Sequence, residues 1–149
     1  MQRKSRDMNV RAFEFMIRNE KKIRDAVEEA RANKRGHTGG TQTGHAFISD
    51  PTAGEAIRNV EELSVVEIEG GGRVEWPERW LRVIDAVRSW CGNDALKSEI
   101  FARRYERGEN SHITCYAVNI EINTYYYFLR EIRSFALQCA AQCQVIRVF

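Results

Sequence analysis

Between Ser111 and Cys143 the apolar residues recur at helical steps, and inside that stretch stand four aromatic residues in a row, Tyr125, Tyr126, Tyr127 and Phe128. Four consecutive positions span more than one turn of an α-helix, which takes about 3.6 residues, so such a helix cannot bury all four. At least one ring must face away from the core. The flanking sequence defines the context. After a turn at Gly108-Glu109-Asn110, residues Ser111 to Ala117 make a helix too short to stand alone; Val118-Asn119-Ile120 follow, and a long helical pattern opens at Glu121 and runs to about Cys143.

A short helix, a tight turn and a second helix make the helix-turn-helix layout. Its fifth position must be small, because the two helices cross there, and Cys115 occupies it. Its ninth must leave the short helix in the left-handed conformation, which Gly adopts best and Asn next best, and Asn119 occupies it. Val118, Ile120, Tyr125 and Phe128 fall on the positions that should be buried. In this register the outward face of the second helix presents Glu121, Ile122, Asn123, Tyr126, Tyr127 and Arg130. Asn and Arg can pair bidentately with adenine and guanine edges, Ile can touch a thymine methyl, and tyrosine hydroxyls can reach phosphates. Arg103, Arg104 and Arg107 just upstream, and Arg133 a turn further along, are candidates for backbone phosphates. The competing reading of the aromatic run is plain hydrophobic packing.

The remaining chain reads as helices with one hairpin. Phe13, Met16, Ile17, Ile23, Val27 and Ala30 recur at three- and four-residue steps, which predicts one amphipathic helix of roughly 27 residues from about Met8 to Lys34, a packing or dimerisation strut. Gly36 to His45 has no hydrophobic period and reads as a loop; it lacks the spacing of a phosphate-binding loop. Asp50-Pro51 announces a helix to about Val60. Ser64 to Glu69, the glycines 70 to 72 and Arg73 to Trp76 read as a β-hairpin lying on a helix, with Trp76 as its expected anchor. Pro77 opens a helix to Cys91 with Trp80, Leu81, Ile84, Val87 and Cys91 on one face, and Asn93 or Asp94 caps another from Ala95 to Arg107. The tail, Gln144 to Phe149, alternates too little to assign. The expected fold is mainly α, a helical bundle with one small β-hairpin and a C-terminal helix-turn-helix. It divides into an N-terminal helical region, 1–92, with the Gly-rich loop and hairpin, and a helix-turn-helix module, 93–149.

Ile100 to Tyr105, the helix-turn-helix and Asn123 to Ile132 resemble the region-four-like C-terminal module of sigma factors over residues 94 to 143. More closely, the chain resembles the small phage and prophage late-gene transcription regulators of the RinA/ArpU kind, whose recognition helix often starts Ser-Thr-Tyr-Tyr. The basic N-terminal helix, Asp50-Pro51-Thr52 and Trp76-Pro77 followed by a helix fit the same layout. Two departures stand out: Asn119 and Glu121 replace the usual Gly and Ser of the turn, and Ile122 stands where Lys or Arg is common. The resemblance implies a sequence-specific, double-stranded-DNA-binding activator of late genes, with RNA polymerase as a further expected partner.

The net charge of +2 conceals segregation: residues 1–36 hold eleven Lys and Arg against six Asp and Glu, residues 50–100 six against eleven, and residues 101–149 six against four. One surface could face phosphate and another a basic protein, or these could be solvated helix faces that cancel. The four cysteines, Cys91, Cys115, Cys139 and Cys143, form no C-x-x-C, and His37, His45 and His112 lack finger spacing, so core-filling thiols and no cofactor are expected. No hydrolase or metalloprotease motif occurs, and an enzyme is not expected. Nor does any apolar run reach the ~20 residues of a membrane span, and no apolar signal-like segment follows Met1 to Arg6; a cytoplasmic protein with no membrane partner is expected. A homodimer is expected as well, because proteins of this class pair to match palindromic half-sites. Two alternatives keep the fold and change what it does. One is a helical adaptor or phage takeover protein that inhibits a host protein; the other is a small terminase subunit, whose helix-turn-helix would be expected near the N-terminus.

Overall fold

The computed structural model describes residues 2–36 and 61–147. The loop expected at 36–45 and the helix expected at 50–60 lie outside the described residues, apart from Gly36, as do the last two residues of the tail. In chain order the elements are α1 (Gln2–Arg18), α2 (Glu20–Gly36), β1 (Val65–Ile68), β2 (Gly72–Glu75), α3 (Pro77–Cys91), α4 (Ala95–Phe101) continued by a π-helical stretch (Ala102–Glu106), α5 (Ser111–Val118) and α6 (Ile122–Gln142). The fold is mainly α with one two-stranded antiparallel hairpin. Among the described residues no helix is long and apolar enough to cross a membrane.

The single N-terminal helix expected from periodicity is two. Asn19 interrupts it: its backbone N–H and its side-chain amide both donate to the Phe15 carbonyl, at 3.1 and 2.9 Å. A short amide side chain that hydrogen-bonds the nearby backbone competes with the helical ladder, and apolar periodicity does not register that competition.

A second correction concerns the helix expected over 95–107. Asp94 caps it as anticipated, its Oδ1 accepting from the Lys97 N–H at 3.0 Å, but regular α geometry ends at Phe101. From Ala102 the bonds lengthen to i→i+5, as in Arg107 N–H donating to the Ala102 carbonyl at 2.9 Å, until Gly108 turns away at φ +69°. Inserted π turns shift every later side chain around the axis, and this one places Tyr105 in the core.

The chain forms two compact units, one of Met1–Glu20 with Arg79–Phe149, the other Lys21–Glu78. These boundaries differ from a division at 92/93, because α1 packs with the C-terminal helices. Its Phe13 ring meets Tyr105 edge-on at 5.9 Å, and its Glu14 binds Arg133 of α6. The core of this unit includes Phe13, Ile17, Trp80, Ile84, Val87, Ile100, Phe101, Tyr125, Leu129 and Ile132. Trp90 stacks on Phe135 at 4.4 Å, with the Lys97 ammonium 4.0 Å from the Trp90 ring centroid.

In the second unit β1 and β2 pair with Val65 opposite Glu75, Val66 opposite Val74 and Ile68 opposite Gly72. Glu69, Gly70 and Gly71 close the turn; Gly70 and Gly71 sit at φ +97° and +88°, which an L side chain rarely adopts. The hairpin lies by α2, where Lys22 Nζ donates to the Glu69 carbonyl and Arg31 binds Glu78 at 2.6 Å. Glu78 in turn accepts from the Leu63 N–H at 2.9 Å. The anchors are Leu63, Val66, Ile68 and Val74. Trp76, expected in that role, is 37% exposed at φ +51°; immediately before Pro77, it turns the chain into α3.

Candidate nucleic-acid interface

α5 and α6 show how the sequence builds a sharp, rigid turn. Asn110 starts α5, its Oδ1 accepting from the Ile113 N–H at 2.9 Å. Asn119 ends it at φ 54°, ψ 54°, the left-handed region expected of this position. The Ile120 N–H then donates back to the Cys115 carbonyl at 3.1 Å, satisfying a carbonyl that the helix end would otherwise leave open. Cys115 is buried at the crossing. Glu121 takes the position before α6 in extended backbone and makes no side-chain cap. Since Gly pays no Cβ penalty here, Asn119→Gly is expected to hold stability to within about 0.5 kcal/mol, and Asn119→Val to lose about 1–2 kcal/mol, measured by urea denaturation.

Along α6 the buried side chains are Tyr125, Leu129, Ile132, Ala136, Cys139 and Ala140, a single stripe at three- and four-residue steps. The opposite side carries Asn123, Tyr127 and Arg130, all exposed, with Tyr126 exposed on its flank and Ile122 half-buried. One tyrosine of the run therefore enters the core and two leave it, 48% and 55% exposed at Tyr126 and Tyr127. Phe128, Val118 and Ile120, expected to be buried, are each half-buried.

The arginines divide by their partners. Arg130 pairs with no carboxylate among the described residues. Arg133, expected to face phosphate, is drawn inward: Glu14 Oε1 accepts from its Nη2 and Nε at 2.5 and 3.1 Å. Burial acts to lower the Arg133 pKa, but Glu14 and Tyr105 outweigh it and the net direction is upward. Arg103 bridges Glu99 at 2.7 Å and Glu109 at 3.0 Å, and Arg107 lies 3.4 Å from Glu99. Three of the four expected phosphate contacts thus already have carboxylate partners. The fourth, Arg104, is half-buried, its Nε without a hydrogen-bond partner among the described residues. Tyr127 donates to Glu131 at 3.0 Å, and this bond holds its phenol protonated above the usual range.

Beneath this face lie polar groups that sequence gives no reason to expect. The hydroxyls of Tyr105, Thr114 and Tyr125 are buried without a hydrogen-bond partner among the described residues. Burial raises the pKa of both tyrosines. It also raises those of the thiols at Cys115 and Cys139, and pushes Cys91 up to about 11, so the three are protonated at neutral pH. Among the described residues no three His, Cys, Asp or Glu side chains gather as a metal ion would require.

Sequence reasoning missed Arg6, Glu14 and Glu131 at this face. Arg6 Nη2 donates to Ser134 Oγ of α6 at 3.1 Å, across 128 residues of chain, and no local pattern encodes such a contact. The arrangement offers a rigid turn and an exposed face bearing one amide, one guanidinium and two phenol rings. No protein-family model, characterised protein or solved structure matches the chain.

Proposed function

We propose that the chain is a sequence-specific double-stranded-DNA-binding transcription regulator that reads base edges with the first turns of α6. The observation that carries this reading is the placement of Asn123 and Arg130 on one exposed face, opposite buried Tyr125, Leu129 and Ile132, directly after a turn fixed by left-handed Asn119. An α-helix fits the major groove, where these two side chains match adenine and guanine edges. The sequence resemblance to phage late-gene regulators supports late-gene control as the setting and RNA polymerase as a second partner, and the pairing habit of helix-turn-helix proteins supports a homodimer on palindromic half-sites. The paired state of Arg103, Arg107 and Arg133 makes Ile122, Asn123, Tyr126, Tyr127 and Arg130 the stronger part of the site.

A band shift against the DNA upstream of the gene, across a salt series, tests the reading. A specific complex is expected, and Asn123→Ala or Arg130→Ala should each weaken it about 5- to 150-fold while unrelated duplex changes less, as loss of one bidentate base contact does. Absence of any complex at low salt would overturn it. That result would favour a protein-binding adaptor, the reading suited to Tyr116 and Ile113, 91% and 53% exposed on α5.

A further inference from the structure

We propose that the N-terminal half of α1 is a second DNA-contacting element, in which Arg6 and Arg130 form a seat for a backbone phosphate beside the base-reading face of α6. This inference rests on the DNA-binding reading. A groove in the unit that contains both helices is lined by Arg6, Asp7 and Val10 of α1 and by Tyr126, Arg130 and Arg133 of α6. Glu14 already offsets the Arg133 charge. That leaves Arg6 and Arg130 as the cations of the groove, both exposed and neither paired with a carboxylate among the described residues. The hydrogen bond to Ser134, one turn beyond Arg130, ties the Arg6 guanidinium to α6 and commits only part of its five donors. A guanidinium held in this way can take a phosphate through two parallel N–H···O bonds. The Tyr126 hydroxyl adds a donor of the kind that contacts phosphate oxygens.

The charge of the recognition face makes such a seat necessary. Phosphate contacts supply the sequence-independent part of DNA affinity, yet among residues 121–129 the one charged residue is Glu121. α1 supplies a cation that this face lacks, since the exposed Arg6 falls within its first two turns. Asp7 is the opposing charge in the groove and sets the expected sign of its own removal.

Fluorescence anisotropy with the upstream duplex and an unrelated duplex, across a salt series, tests the seat. Arg6→Ala should weaken both duplexes about equally, by roughly 3- to 10-fold at low salt, and reduce the slope of log affinity against log salt by about 1. Asp7→Asn should tighten both, Arg6→Lys should keep the slope, and Ser134→Ala, which removes the tether but not the charge, should keep the slope with a smaller loss. Arg6→Ala binding with wild-type affinity and slope, while Asn123→Ala still loses discrimination, would overturn the seat and leave the DNA reading standing. So would a loss on Arg6→Ala that tracks a lowered melting temperature with an unchanged slope. If the wild-type chain binds no duplex at low salt, both readings fall together.

Discussion

Tyr125→Ala is expected to lower stability by about 3–5 kcal/mol, whereas Tyr126→Ala and Tyr127→Ala should each shift it by no more than about 0.5 kcal/mol. Three adjacent residues of one type thus serve as a test of helix register. Tyr125 is 1% exposed and sits in the stripe with Leu129 and Ile132, so truncating its ring opens a cavity that the close-packed core cannot fill. Its neighbours are about half exposed, and their truncation removes rim contacts and, at Tyr127, a solvent-facing bond to Glu131. Tyr125→Phe sharpens the test. The hydroxyl is buried without a partner among the described residues, so its deletion should leave stability unchanged or raise it by up to about 1 kcal/mol. Urea denaturation of the four variants decides the matter: equal losses at Tyr125 and Tyr126 would mean that the helix is rotated and the proposed base-reading face misplaced.

Glu14→Ala should cost about 2–3 kcal/mol, because it strands the half-buried Arg133 guanidinium without its carboxylate. Arg133→Ala strands the Glu14 carboxylate, whose side chain at 15% exposure is the more buried of the two, so its loss should be at least as large. In the double variant neither charge is stranded, so a coupling of about 1–2 kcal/mol is expected from the full cycle. The side chains are 30% and 15% exposed, so the coupling should survive moderate salt, where a surface pair would fade. Additive single effects would show that this contact does not fasten α1 to α6.

Short-range rules carried the reading of the sequence a long way. Pro77 and Cys91 bound α3 as expected, Asp94 caps the following helix, and the hairpin strands lie within a residue of the alternating pattern. Asn119 adopts the backbone its place demanded. These features were legible because each is decided by residues within about one turn of one another. The break at Asn19 involves a side-chain amide sharing the Phe15 carbonyl, and the π stretch after Phe101 a backbone bond that reaches one carbonyl further back, choices that apolar spacing does not record. In the candidate site the outward-facing residues of α6 were legible from period alone. The state of the arginines was not, because Glu14 reaches Arg133 across 119 positions and gives an expected phosphate contact a carboxylate partner. The same long-range packing hid Arg6.

That the larger unit is assembled from Met1–Glu20 and Arg79–Phe149 bears on how the chain reaches its folded state. On a ribosome α1 is made well before the helix that carries Arg133 and Ser134, and meanwhile Phe13 and Ile17 have no completed core to enter. The helices from α4 to α6 are joined by short connections and can associate early, so α1 docking is a late, long-range step. Closure entropy rises only with the logarithm of the chain length bridged, so the long sequence separation between α1 and α3 costs the final stability little. Its effect falls on the time the N-terminal helix spends unpartnered, and hence on aggregation during synthesis rather than on the finished fold.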